Sequence, residues 1–225
     1  MKLAKEQIYR FPMPVLDESM YIYVENSEAL VIDPNKNSEG MQLLKEKKVK
    51  QILILLTHEH FDHVSGVNYL RENFACKVIC SEDAANAIGN PSKNLAKFWE
   101  VLIMDQSPEN QKEALKLKDE EYSCEADMTF STITEWQWQE HTIKAVPAPG
   151  HSKGSALYFI DDMLFSGDSL VNGHGVISRL PGGKWKIYSE QTLPLIQDLS
   201  DDMLVFPGHG NPDRLCNLRQ YLTKA

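Results

Sequence analysis

Histidine and aspartate gather in four short motifs, and these residue types at this spacing suit metal ions. The motifs are Thr57-His58-Glu59-His60-Phe61-Asp62-His63, Pro149-Gly150-His151-Ser152, Gly167-Asp168-Ser169 and Pro207-Gly208-His209-Gly210. Five of the chain's seven histidines lie inside them. With Asp62 and Asp168 they supply five imidazoles and two carboxylates, enough for two ions sharing one bridge. Such a cluster serves metal-dependent hydrolysis, because coordination lowers the pKa of water to roughly 7 and gives hydroxide at neutral pH.

The spacing divides the donors. Residues two apart project to the same side of an extended segment, so His58 and His60 reach one metal from a strand end. Asp62 and His63 follow in the turn that opens the next helix and face a second metal. Catalytic zinc sites keep three protein ligands and one open position. Hence His58, His60 and His151 are assigned to one metal, and Asp62, His63 and His209 to the other. Asp168, with two carboxylate oxygens, is the natural bridge. Gly150, Gly167, Gly208 and Gly210 allow the tight turns and close backbone approach of a crowded centre. Glu59 lies between the ligands yet points the other way, and reads as a solvated carboxylate or one standing behind them. His141 reads as an ordinary strand-edge residue. His174, in Asn172-Gly173-His174-Gly175, is either a surface-loop residue or part of the cleft lining.

The elements that must hold these groups alternate. Strands are expected over Ile8–Phe11, Tyr21–Glu25 and Ala29–Asp33, the last two joined by the polar turn Asn26-Ser27-Glu28 as a hairpin. Ser38–Lys48 has a helical pattern. Gln51–Leu56 is a continuous apolar run, the mark of a strand buried on both faces, and the long metal motif starts at its end. Val64–Asn73 is expected as helix and Lys77–Cys80 as strand. Asp83–Glu121 is polar and largely helical, either a helical pair on the sheet edge or a lid. Strands resume at Thr129–Trp138, Thr142–Val146, Ala156–Ile160, Met163–Phe165 and Met203–Phe206. Ser189–Leu199 and Pro212–Thr223 read as helices, with Pro194 ending or bending the first.

Bulk properties narrow the class. The 225 residues suit one domain spanning 1–225, with a helical insertion at about 83–121. A net charge of −9 argues against nucleic-acid partners, which demand a basic face. No apolar run approaches the roughly 18 residues of a membrane span, and the N-terminus lacks a signal-peptide core, so a cytoplasmic protein is expected. Cys76, Cys80, Cys124 and Cys216 form no metal or disulfide framework and read as reduced, mostly buried thiols.

The motifs resemble those of the metallo-β-lactamase superfamily, over nearly the whole chain. The resemblance implies an α/β fold, a four-layer αββα sandwich with a dimetal site at one end of the strands. It includes Val31-Ile32-Asp33-Pro34, whose Asp33 matches a position that stands behind the ligands in the family. Phe165-Ser166-Gly167-Asp168-Ser169-Leu170, Ser178-Arg179-Leu180-Pro181-Gly182-Gly183 and Pro207-Gly208-His209-Gly210 are similar in order and spacing to compact glyoxalase-II-like hydrolases. Two positions depart: Leu180 stands where that group has a short polar residue and an aspartate before Pro-Gly-Gly, and Asn211-Pro212-Asp213 lacks the usual threonine. A C-terminal helical domain of the kind that holds glutathione in full-length glyoxalase II is not expected.

The implied reaction is attack of a metal-bridging hydroxide on a thioester or ester carbonyl, with Asp62 orienting the nucleophile and taking its proton. Two divalent ions are implied, zinc first by frequency in the family, with iron or manganese also suited to a donor set free of thiolate. Two divalent ions, two aspartates and a hydroxide leave the site near +1, receptive to an oxyanion or an anionic substrate. Arg179, Lys184 and Tyr188, with Lys186, fall between the bridge and the last motif. They are expected to hold an anionic substrate tail such as that of a glutathione-like thioester, Arg179 foremost because guanidinium pairs bidentately with carboxylate. A lactone hydrolase, a persulfide dioxygenase with one iron and a non-catalytic metal-binding regulator are the alternatives. A β-lactamase of this family is expected to carry cysteine or a non-bridging serine where Asp168 stands.

Overall fold

The computed structural model describes residues 5–225. One sheet runs β1 (Tyr9–Pro12), β2 (Ser19–Glu25), β3 (Glu28–Ile32), β4 (Gln51–Leu55), β5 (Ala75–Ser81) and β6 (Met128–Phe130), in that spatial order. Its first three strands are antiparallel, and β3 to β6 are parallel. The other sheet holds β7 (Thr134–Trp138), β8 (His141–Pro147), β9 (Ala156–Ile160), β10 (Met163–Gly167), β11 (Leu204–Pro207) and β12 (Asp213–Arg214). There only β10 and β11 are parallel.

The layering follows from strand alternation. In β2 and β3, Tyr21, Tyr23, Leu30 and Ile32 point between the sheets and meet Ile143, Tyr158, Phe165 and Phe206 from the other side. Their neighbours Met20, Ile22, Ala29 and Val31 point the opposite way. These pack with Leu44 of α1 (Ser38–Glu46), Val64 of α2 (Phe61–Val64), Leu70 of α3 (Val67–Arg71) and Ile88 of α4 (Glu82–Ile88). The same layer includes Trp99 of α5 (Trp99–Leu102) and Ala114 of α6 (Pro108–Leu115). Behind the second sheet, Leu157, Leu164 and Val205 pack with α8 (Leu193–Gln197) and α9 (Leu215–Leu218), which follow the single turn α7 (Trp185–Ile187). Three apolar interfaces thus separate four layers, the αββα sandwich expected.

Several boundaries differ for physical reasons. The expected strand Thr129–Trp138 is two strands, β6 and β7, because residues 131–133 carry the chain from one sheet to the other. Ser189–Leu199 is not one helix: a π-helical turn over Tyr188–Thr192 precedes α8, so Pro194 falls in a first turn, where its missing N–H costs nothing. Pro212–Thr223 opens as the short strand β12 before α9. The 83–121 stretch is α4, a 3₁₀ turn at Ala96–Phe98, α5 and α6.

That stretch braces the metal motif. Phe61 at the start of α2 meets Trp99 and Tyr122 edge-on, each with ring centroids 5.2 Å apart, and the Tyr122 hydroxyl donates to the Val64 carbonyl. No helix among the described residues is long and apolar enough to cross a membrane. The four cysteines are free thiols; Cys216 is exposed, Cys76 half-buried, and Cys80 and Cys124 are buried.

Candidate metal centre

All the motifs meet at one end of the sandwich. Asp33 follows β3, residues 57–63 follow β4, His151 follows β8, Asp168 follows β10, and Gly208-His209 follow β11. Carboxyl ends of parallel strands are where open α/β sheets place their sites. His58 and His60 lie just past the end of β4, and His60 is the residue that caps α2.

The donor atoms form two groups. His60 Nδ1 lies 3.1 Å from His58 Nε2 and 3.0 Å from His151 Nε2. His63 Nε2 lies 3.3 Å from His209 Nε2, and Asp62 Oδ2 is 3.6 Å from each of these nitrogens. Asp168 sits between: its Oδ1 is 3.4 Å from both His63 Nε2 and His209 Nε2, and its Oδ2 is 3.5 Å from His151 Nε2. Four nitrogens or oxygens about 2.0–2.1 Å from one ion in a tetrahedron stand roughly 3.3 Å apart. The observed spacings fit that figure, and Asp168 Oδ1 is buried among them without a hydrogen-bond partner. The residues therefore fit two metal ions, with Asp168 placed between the two donor groups.

Outer partners set the far side of most imidazoles. His63 Nδ1 meets Asp33 Oδ2 at 2.9 Å, His151 Nδ1 donates to the Ile177 carbonyl at 2.7 Å, and His209 Nδ1 donates to the Leu16 carbonyl at 2.8 Å. Thr57 Oγ1 lies 3.0 Å from His58 Nδ1. Such bonds choose the tautomer and aim the other nitrogen. Asp33 also accepts from Thr57 N at 2.7 Å and Thr57 Oγ1 at 2.5 Å. It does so from a left-handed backbone, φ 49°, which aspartate tolerates better than most residues other than glycine. Gly167, at φ 49°, and Gly208 are required by contact: a Cβ would stand 2.3 Å from Thr57 Oγ1 and Asp168 Oδ1 respectively.

Charge differs between the groups. Burial, then the neighbouring imidazoles, hold His58 well below the usual histidine value, and burial with the neighbouring His151 does the same to His60. His151 is lowered by burial despite Asp168. Burial also opposes charge on His63, but Asp62, Asp168 and Asp33 outweigh it and raise its pKa well above the usual value. His209 is pushed up to about 9 as Asp168 overcomes burial. Burial works against ionisation of Asp168, yet the surrounding imidazoles hold it well below the usual carboxylate range.

The remaining sequence candidates are placed as follows. Tyr188 is fully buried and its hydroxyl donates to the Ser169 carbonyl at 2.7 Å. A Cβ on Gly150 would strike its backbone and Cβ, so Tyr188 braces the loops of His151 and Asp168 instead of facing substrate. Arg179 and Lys184 are exposed and lie outside the residues that line the cleft over the donors. His174 is in that lining. Glu59 is buried, not solvated: its Oε2 accepts from Ser152 Oγ at 2.8 Å, beside the ligand His151, and burial raises its pKa. His141 is buried between Asp161 Oδ2 at 2.7 Å and Glu25 Oε2 at 3.2 Å. Sequence reasoning missed Glu18, fully buried behind the centre, whose Oε2 accepts from Asn35 Nδ2 at 2.7 Å and whose pKa burial raises strongly. Its stretch, Val15-Leu16-Asp17-Glu18, reads as surface loop, and no local pattern marks it.

A sequence model described as the metallo-beta-lactamase superfamily matches residues 13–209. The chain belongs to that superfamily. A relative from Bacillus subtilis (strain 168), named probable metallo-hydrolase YqgX, is 25% identical over 204 residues, covering 89% of each protein. Hydroxyacylglutathione hydrolase of Citrobacter koseri is 26% identical over 199 residues, 88% of this chain and 64% of that enzyme. Two solved structures share the fold. The BLEG-1 B3 metallo-beta-lactamase has a TM-score of 0.74 at 23% identity, covering 93% of this chain and 95% of that one. TTHA1623 in a di-iron-bound form has a TM-score of 0.68 at 23% identity, covering 95% and 98%.

Proposed function

We propose that this superfamily member is a metal-dependent hydrolase of thioester or ester bonds. The observation that carries the reading is Asp168, with one carboxylate oxygen toward each donor group. Hydrolysis needs an activated water and a place for the carbonyl oxygen, and two adjoining donor groups serve both needs. The relatives named probable metallo-hydrolase and hydroxyacylglutathione hydrolase support the reaction class. Zinc is the first metal to test, with iron next, because a similar structure was solved in a di-iron-bound form. The ions would be held by His58, His60 and His151 on one side and Asp62, His63 and His209 on the other, and would supply hydroxide near neutral pH and polarise the carbonyl.

The chain's own groups do the rest. Asp62, which lines the cleft, orients the attacking water and takes its proton. Asp33, Thr57 and the carbonyls of Ile177 and Leu16 hold the imidazoles in register, so no reorganisation is needed as charge develops. Val15, Leu16, Leu95 and Leu102 keep bulk water from the carbonyl once substrate fills the cleft. The test is a panel of thioesters, lactones and phosphoesters with zinc- or iron-loaded protein. Thioester or ester turnover at least tenfold above phosphoester turnover is expected; phosphoester preference, or no hydrolysis of any member, contradicts the reading.

A further inference from the structure

The cleft over the donor groups is about 420 Å³, a size that encloses a small organic ligand. Apart from the metal-facing groups its wall is mostly aliphatic: Val15, Leu16, Leu95, Leu102, Ile177 and Leu180. Among the described residues the rest of its lining is Asp17, Asp105, Gln106 and His174, with no lysine or arginine. Asp17 is tied to Arg10 at 2.6 Å, whereas Asp105 is exposed and has no ion pair among the described residues. The unneutralised charge at the mouth is therefore negative.

The loop expected to bring cations delivers something else. Leu180 contributes the side chain that enters the wall, while the adjacent Arg179 and the later Lys184 and Lys186 are exposed outside it. Pro181 and Gly182 line a neighbouring depression with Lys93 and Lys153, and Lys153 is already paired with Asp83 at 2.7 Å. Leu95 enters the cleft wall from a left-handed backbone, φ 69°, and is almost fully buried. A leucine there is strained, and buried Asn94 holds the turn through bonds to Ile88 O and Tyr122 O, each 3.0 Å. A fixed aliphatic wall matches a fixed apolar substrate group.

From this we infer the substrate class: an aliphatic acyl thioester or ester whose leaving group is neutral or cationic, not an anionic conjugate of the glutathione type. The inference rests on the proposed hydrolytic reading for its reaction but not for its recognition. In the reaction the water oxygen bonds to the acyl carbon, the carbon–sulfur bond breaks, the thiolate leaves with the electron pair and takes up a proton, and the acid is released. The acyl chain lies against Leu102 and Leu180. The leaving group passes Asp105, which repels an anion and attracts a cation.

Three thioesters with one acyl group separate the charge effect: butyrylthiocholine (cationic), S-butyryl-N-acetylcysteamine (neutral) and S-butyryl-3-mercaptopropionate (anionic). With zinc-loaded full-length protein, kcat/KM for the first two should exceed the third about tenfold or more. Lengthening the N-acetylcysteamine ester from acetyl to butyryl should raise kcat/KM about fourfold per methylene, the value of one buried CH2. Asp105→Lys should shift the anionic-to-neutral ratio toward the anion at least fivefold, and Leu180→Asp should flatten the chain-length series. Binding of the matching S-butyl thioethers, followed by calorimetry, separates the two claims. If no ester is cleaved but the neutral and cationic thioethers still bind tighter, hydrolysis falls and this recognition stands. Equal or better binding and turnover of the anionic member overturns it.

Discussion

The two donor groups share a carboxylate yet differ in charge. His58, His60 and His151 are neutral imidazoles whose burial keeps protons off them. Across Asp168, His63 and His209 lie near Asp62, Asp168 and Asp33, and in the metal-free protein they hold protons that any incoming ion must displace. The first group is a ready set of lone pairs that burial has made weakly basic. The second is more basic and more anionic, with an occupancy tied to pH. An apolar surround and a carboxylate surround thus make two unlike sites from the same residue type, less than one strand length apart.

The largest effect is expected from removing what both groups share. Asp168→Asn keeps the shape but loses a negative charge and the second anionic oxygen. Metal content should drop from at least one site, and kcat should fall about a hundredfold or more. Full occupancy at a near-normal rate would show that Asp168 does not span the ions.

Next in size is the contrast between two carboxylates of one motif. Asp62→Ala removes a donor and the proposed proton acceptor and should lower kcat about a hundredfold. Glu59→Gln disturbs the bond to Ser152 and the backbone contacts at Glu59 and Gly154, and should cost about tenfold or less. Steady-state rates of equal loss would put both carboxylates in one role.

A smaller effect sharpens the contrast in charge. At pH 7, zinc entering the first group should release no protons from histidine, whereas zinc entering the second should release up to about two, from His63 and His209. Calorimetric titration in buffers of different ionisation enthalpy counts them. The same shifts set the stability of the metal-free chain. His58, His60 and His151 have folded pKa values below the ordinary 6.5, so stability is lost as pH falls below that value and the unfolded chain takes up protons. His209 is raised to about 9, so its contribution is complete below pH 6.5 and is lost as pH rises through about 9. Over these four histidines the metal-free melting temperature should therefore peak near pH 6.5 and decline toward pH 9; a maximum near pH 9 would contradict the charge assignment.

Much of this centre was legible in the sequence because its donors come in local motifs. His58, His60, Asp62 and His63 fall within six consecutive positions, and a strand of the pattern Gln51–Leu55 can end only at an edge of the sandwich. The pairing of β3 with β4 and of β10 with β11 then brings Asp33, Asp168 and His209 to the same end. What escaped depends on contacts distant in sequence. Glu18 looks like a loop residue until its burial beside Asn35 is seen. Tyr188 sits among basic residues of a glycine-rich loop, and only the π-helical turn reveals that it faces inward, onto Ser169. Arg179 and Leu180 are adjacent, and sequence could not say which of the two enters the cleft.

Titration of metal-free protein with zinc, following thioester hydrolysis and bound metal together, shows whether the two donor groups work as one centre. Two ions per chain are expected at saturation, with activity rising steeply as the second binds. Full activity at one equivalent, or saturation at one ion with the second group never filled, would contradict a shared centre built on Asp168.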